Sequence, residues 1–124
     1  MFSHVMIGTN DLPRAKAFYA AVLGTLGVPA GFVDRHRVFW RTPTGVFSVT
    51  IPIDGKPATV GNGGTIGFAC TSSAQADAWH AAGVAHGGTP CEDPPGVREG
   101  AAGKLYLAYL RDPDGTKICA LHRM

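Results

Sequence analysis

Two proline–glycine corners limit what this chain can fold into. Arg41-Thr42-Pro43-Thr44-Gly45 and Arg111-Asp112-Pro113-Asp114-Gly115 stand 70 positions apart, and each leads into a run of strand-forming residues. In both, proline presets φ for the first corner and glycine supplies the positive φ that closes a hairpin. Upstream of each corner comes a short apolar strand and then an amphipathic helix, so one order of elements is written twice. A shift of 61 positions lays Phe18 on Trp79, Ala15 on Ala76, Gly27 on Gly88 and Pro29 on Pro90. The two offsets differ because a Pro/Gly-rich insertion, residues 92–103, is confined to the second copy. Two copies of a curved sheet set side by side enclose a pocket that neither makes alone.

The repeat predicts α+β architecture: two tandem β-α-β-β-β modules, residues 1–52 and 64–124, joined by a linker at 53–63 and forming curved mixed sheets around a pocket. The first strand falls on residues 3–8. Asn10 or Asp11 caps a helix over 11–24, Pro13 is tolerated in its first turn, and Gly24 or Gly27 ends it. Leu12, Ala15, Phe18, Tyr19, Val22 and Leu23 recur at helical spacing and give that helix one apolar face. Strands follow around 32–33, 38–41 and 46–51. The second copy opens with a strand at 65–70 and a helix over 73–87 capped by Ser72 or Ser73, and closes with strands at 104–110 and 116–122. The insertion shows no hydrophobic periodicity and reads as a loop. Gly61-Asn62-Gly63-Gly64 lacks the Lys-Ser/Thr of a phosphate loop and reads as a hinge.

Each half, at about 60 residues, would bury only a marginal core, so the halves must pack on each other or on a second chain. A formal charge of +2 with 45% apolar residues is too slight a basic excess to propose nucleic acid or an anionic membrane as partner. No window approaches a transmembrane span, and the N-terminal stretch turns polar at Thr9-Asn10-Asp11 before a signal-peptide core could form. Three cysteines without paired spacing fit a reducing, cytoplasmic setting. The expected partner is a small organic molecule.

The paired β-α-β-β-β order, a histidine in the first strand (His4), the helix opening Asn10-Asp11-Leu12 and the closing Asp112-Pro113-Asp114-Gly115-Thr116-Lys117-Ile118 together resemble the vicinal oxygen chelate superfamily, which includes glyoxalase I, bleomycin-resistance proteins and extradiol dioxygenases. The resemblance spans essentially the whole chain. It implies a homodimer in which sheets of paired modules surround two pockets. It also implies four metal-ligand positions, one on each of four strands. These fall on His4, Thr65, Cys119 and, by the internal repeat, Val49, with Ser48 or Thr50 if the register slips by one. A hard cation asks for convergent oxygen and imidazole donors, and zinc for three or four ligands. One imidazole and one thiol do not meet either demand, so no metal or other cofactor is expected.

His4 and Cys119 are the candidates for catalysis, and Cys119 in an apolar strand reads equally as a small buried hydrophobe. Trp40, Tyr106 and Tyr109 are candidate pocket aromatics. Arg98, the sole cation of the insertion, is the candidate anchor for an anionic ligand, with residues 93–103 gating a cavity walled by the second-copy hairpin. Two classes of function fit: a protein that binds a small molecule without the full metal site, or a metal-dependent glyoxalase-like lyase or dioxygenase-type enzyme. Metal-free chemistry with His4 as base has no supporting triad in the sequence.

Overall fold

Helix α1 (Leu12–Gly24) begins where Asp11 accepts the Arg14 N–H at 3.0 Å, and α2 (Ser73–Ala85) where Ser72 accepts the Gln75 N–H at 3.1 Å. A computed structural model describes residues 1–124. Around α1 the first half folds as β1 (His4–Gly8), β2 (Phe32–Asp34), β3 (Arg37–Thr42) and β4 (Gly45–Thr50), in the sheet order β1-β4-β3-β2. Around α2 the second half folds as β5 (Ile66–Ala69), β6 (Thr89–Pro90), β7 (Gly96–Gly100), β8 (Gly103–Arg111) and β9 (Lys117–Arg123), in the order β5-β9-β8-β6, with β7 also on β8. Each sheet is mixed: β1 runs parallel to β4 and β5 parallel to β9, while the remaining pairs are antiparallel. The repeated α+β topology is thus present.

Register decides which side chains meet. Val5 pairs with Phe47 and Trp40 with Phe47, so these three, with Ile7, Val38 and Val49, face the helix side. His4, Met6, Phe39, Arg41, Val46 and Ser48 consequently face away from it. In the second sheet Ile66, Phe68, Ala108, Leu110, Ile118 and Ala120 face the helices, and Gly67, Leu107, Tyr109, Cys119 and Leu121 face away. The two helix-side faces and both helices share one apolar core. The helices pack closely where α2 carries no side chain. A Cβ on Gly83 would lie 2.2 Å from Leu110 Cδ1 and 3.2 Å from Val22 Cγ1.

The insertion is a correction to the sequence reading: it is no free loop. Residues 96–100 form β7, with Arg98 opposite Leu105 and Gly100 opposite Gly103. Strand β6 covers only Leu110 and Arg111 of the nine-residue β8, and the rest of that edge would otherwise present unpaired backbone groups. The turn glycine Gly103 takes φ +122°, a conformation open mainly to glycine.

The Asp-Pro-Asp-Gly corner joins the halves. Gly115 sits at φ +99°, as a hairpin glycine should, but both carboxylates reach back to the first module. Asp112, only 4% exposed, accepts the Tyr19 hydroxyl at 2.6 Å, and its other oxygen accepts the Asp114 and Thr116 N–H groups. Asp114 accepts from Thr9 Oγ1 at 2.5 Å, the Asn10 N–H at 2.9 Å and Arg14 at 3.0 Å. Asn10 in turn pins the linker through paired bonds with the Ala58 backbone.

Candidate functional site

Strands β1 and β5 are the outer strands of their sheets, and the cavity of about 470 Å³ lies between them. Trp40, Phe47 and Phe68 form its aromatic floor, with Phe47 and Phe68 edge to face at 5.3 Å across the two halves. The end of α1 and its exit supply Leu23, Leu26 and Val28 as one wall. At the mouth stand His4, Val46, Gly67 and Ala69, which face away from the helices. Its size suits a small organic ligand, and eleven of its sixteen lining residues are hydrophobic.

Of the sequence candidates, His4 and Trp40 line this space. His4 is exposed, with Nδ1 taken up by Ser3 Oγ at 2.8 Å, and no group of the chain bonds its Nε2. Trp40 is 1% exposed and contacts the core. The other candidates lie elsewhere. Tyr106 faces α2, not the cavity, and donates its hydroxyl to Asp77 at 2.7 Å. Tyr109 and Cys119 are paired on the outward face of the second sheet, with the Lys117 ammonium 5.0 Å from the Tyr109 ring centroid and engaged by Glu92. Cys119 is 6% exposed, and burial pushes its thiol up to about 11, opposed by Lys117. A thiol so placed stays protonated near neutral pH.

Arg98 does not guard the cavity. Its guanidinium donates to the Asp93 and Pro94 carbonyls at 3.1 and 3.0 Å and so closes its own hairpin, and neither it nor any residue of 92–103 lines the cavity. The second-copy hairpin likewise forms no wall, because β8 and β9 are separated from the opening by β5.

The fourth strand position also needs correction. Val49 is fully buried on the helix side, and Ser48 occupies the outward position. The corners repeat at 70 residues, but the strands behind them repeat at 71, since Phe47 holds in β4 the place Ile118 holds in β9. One residue of slip turns the side chain to the opposite face. The outward positions are therefore His4, Ser48, Thr65 and Cys119. Ser48 is fully buried between Met6 and Phe39, Thr65 precedes β5 in an exposed loop, and Cys119 holds its proton tightly. No three His, Cys, Asp or Glu side chains of the chain gather as metal ligands, and this donor set does not fit a divalent ion.

The aromatic pair Phe47 and Phe68 went unread in the sequence. Alternation from Ile66 places Phe68 on the helix side, whereas Phe47 is placed there by its register with Val5, which the sequence does not show.

A family model described as the Glyoxalase/Bleomycin resistance protein/Dioxygenase superfamily matches residues 1–120. A glyoxalase/bleomycin resistance protein from Albidiferax ferrireducens T118 is 65% identical, with TM-score 0.97 and 99% of each chain covered. A glyoxalase-related enzyme from Fulvimarina pelagi superimposes at TM-score 0.75 with 17% identity, covering 99% of this chain and 88% of its own. A lactoylglutathione lyase from Agrobacterium tumefaciens does so at 0.67 with 21% identity, covering 98% and 92%. These last two share the fold. No match was found among the curated proteins.

Proposed function

The chain belongs to the glyoxalase/bleomycin resistance protein/dioxygenase superfamily, and from that premise we propose that it binds a small organic molecule in the cleft between β1 and β5, without the superfamily's full metal site. The observation that carries this reading is the pairing of an aromatic-floored cavity with outward strand positions His4, Ser48, Thr65 and Cys119, which offer one imidazole and no carboxylate. The cavity makes most of its contacts through apolar surface, so burial of an apolar ligand body is the main source of affinity.

The binding unit in this reading is a homodimer. Met6 and Phe32 remain 37% and 45% exposed on the outward face of the first sheet, beside Phe39, and the outward face of the second carries Leu107, Tyr109 and Leu121. Covering one such face with the other would remove apolar surface that a single chain leaves in water. No helix is long and apolar enough to cross a membrane, and three free cysteines support residence in a reducing cytoplasm.

The test combines ligand-observed NMR over a set of small aromatic and aliphatic compounds with metal analysis of the purified protein. Compounds are expected to bind the native chain and to be lost in Val46→Trp, whose indole closes the mouth. Binding that survives Val46→Trp puts the ligand elsewhere. A near-stoichiometric divalent ion after dialysis against zinc, nickel or manganese would overturn the metal-poor reading.

A further inference from the structure

We infer that the cleft recognises the amide groups of an uncharged apolar ligand, adding it as a short strand between the open backbone edges of β1 and β5. The inference rests on the proposed binding function and names the chemical class that the cleft selects.

The sheet ladders decide which backbone groups are left over. On β1 the Ser3 carbonyl accepts the Val46 N–H at 3.3 Å, and the Thr9 N–H donates to the Thr50 carbonyl at 2.9 Å. In a strand the N–H and C=O of one residue point to one side and those of the next residue to the other, so Ser3, Val5, Ile7 and Thr9 are turned toward β4. The backbone groups of His4 and Met6 therefore point the opposite way, where β1 has no partner strand. On β5 the Cys70 N–H donates to the Leu121 carbonyl at 2.8 Å, which turns Ile66, Phe68 and Cys70 toward β9 and leaves Gly67 and Ala69 open. His4, Gly67 and Ala69 all line the cavity, and no ladder joins the two strands across it.

Free donors and acceptors on both sides of one cavity ask for a ligand that carries both, spaced as they are in a strand. An N-acylated amino acid amide does so: its own N–H and C=O point to one edge, and the flanking acyl C=O and amide N–H point to the other. Its side chain then falls on the helix side, where Val5 and Phe68 adjoin the open positions and Trp40 and Phe47 complete the floor. Only His4 on β1 and Gly67 and Ala69 on β5 bring open groups to the cavity, so the ligand is about one or two residues long. Charge points the same way. None of the sixteen lining residues is Asp, Glu, Lys or Arg. Arg41 is held over the Phe32 ring at 5.3 Å, and Lys117 is engaged by Glu92. An ionised ligand end would lose hydration here and meet no counter-charge.

The experiment compares N-acetyl-L-phenylalanine methylamide with the corresponding methyl ester, which lacks one N–H, by NMR titration of the intact protein. One neutral hydrogen bond predicts that the methylamide binds about fivefold more tightly than the ester. Hydrogen exchange reads the edge directly. In the free protein the Gly67 and Ala69 amides should exchange faster than the ladder-bonded Phe68 and Cys70 amides, and the methylamide should slow them. Ala69→Pro removes the Ala69 donor without touching the ladder to β9, a substitution that a strand edge tolerates. It should weaken the methylamide about fivefold, whereas Ala69→Ser, which keeps the N–H, should not. Equal affinity for methylamide and ester, or unchanged affinity in Ala69→Pro, overturns the edge inference and leaves the cleft reading standing. Protection of Gly67 and Ala69 already present in the free protein would show the edge to be covered and would overturn it too. If neither compound binds up to about 10 mM while the apolar compounds of the cleft screen do, the edge inference falls alone; if those fail as well, the cleft reading falls with it.

Discussion

Removing one oxygen atom, in Tyr19→Phe, should loosen the two halves of the chain from each other. Tyr19 is fully buried, its ring packed 4.6 Å from Phe47 and 4.9 Å from Phe18, and phenylalanine preserves those contacts. What is lost is the 2.6 Å hydrogen bond to Asp112 Oδ2, which has no other donor, whereas Oδ1 keeps the Asp114 and Thr116 N–H groups. A hydrogen bond to a charged group contributes about 1.5–3 kcal/mol, and leaving a buried carboxylate oxygen unpartnered puts the cost toward the upper end, about 2–3 kcal/mol. For a chain of this length that is a fall in Tm of about 8–12 °C, from an unfolding entropy of about 2 cal/mol/K per residue.

The pH dependence makes the reasoning refutable. Burial raises the Asp112 carboxyl, opposed by the Tyr19 hydroxyl and the two backbone N–H groups. A carboxyl whose folded value is raised binds its proton more tightly in the folded state, so its ionisation costs stability as pH rises from the unfolded value of about 3.9 through the folded one. Without the Tyr19 donor that cost grows, so the difference between the two proteins should be largest at neutral pH and shrink below about pH 4, where Asp112 is protonated in both. At the alkaline end, burial first and then Asp112 raise the Tyr19 phenol well above its usual range. Its contribution is therefore fully present below about pH 10 and lost as pH rises through the folded value, a limb that Tyr19→Phe lacks. Urea unfolding from pH 3.5 to 11 measures both. A pH-independent difference, or one below about 0.5 kcal/mol, would mean that the buried pair does not hold the modules together.

Further outcomes follow from the same packing and site geometry. Gly83→Ala should destabilise by about 1 kcal/mol in urea, since overpacking against Leu110 and Val22 costs about 1–3 kcal/mol and the helix gains about 1 kcal/mol from alanine; a stabilised variant would show that Leu110 can move aside. With a thiol value near 11 and 6% exposure, Cys119 should resist Ellman's reagent at pH 8 until the chain is unfolded, while half-exposed Cys91 reacts in the native protein. Light scattering at micromolar concentration should give twice the chain mass, and Phe39→Lys should shift it toward one chain; a native monomer would refute the paired-sheet reading.

Much of the fold was legible because local chemistry and periodicity agree. The caps at Asp11 and Ser72 and the apolar face from Ala15 to Leu23 set α1 and α2 to within a residue or two at each end. Strand β7 escaped notice because Gly96, Gly100 and Gly103 carry no β propensity, and the reason to form it lies in β8, a neighbour whose edge needs partners. The corner Asp112-Pro113-Asp114-Gly115 reads locally as a turn. Its second role depends on Tyr19 and Thr9, more than 90 residues away, and no local pattern announces it.

The site was harder to read for a reason of scale. A pocket between two outer strands depends on the register of both sheets, and an error of one residue sends a side chain to the other layer. The expectation that Val49 faces outward came from carrying the 70-residue spacing of the corners into strands that repeat at 71, and the hydrophobic pattern alone corrects it: Phe47 and Val49 alternate with Ser48 as Ile118 and Ala120 do with Cys119. Arg98 drew notice as the lone cation of an unusual segment, yet a cation flanked by carbonyls of its own hairpin has its donors satisfied.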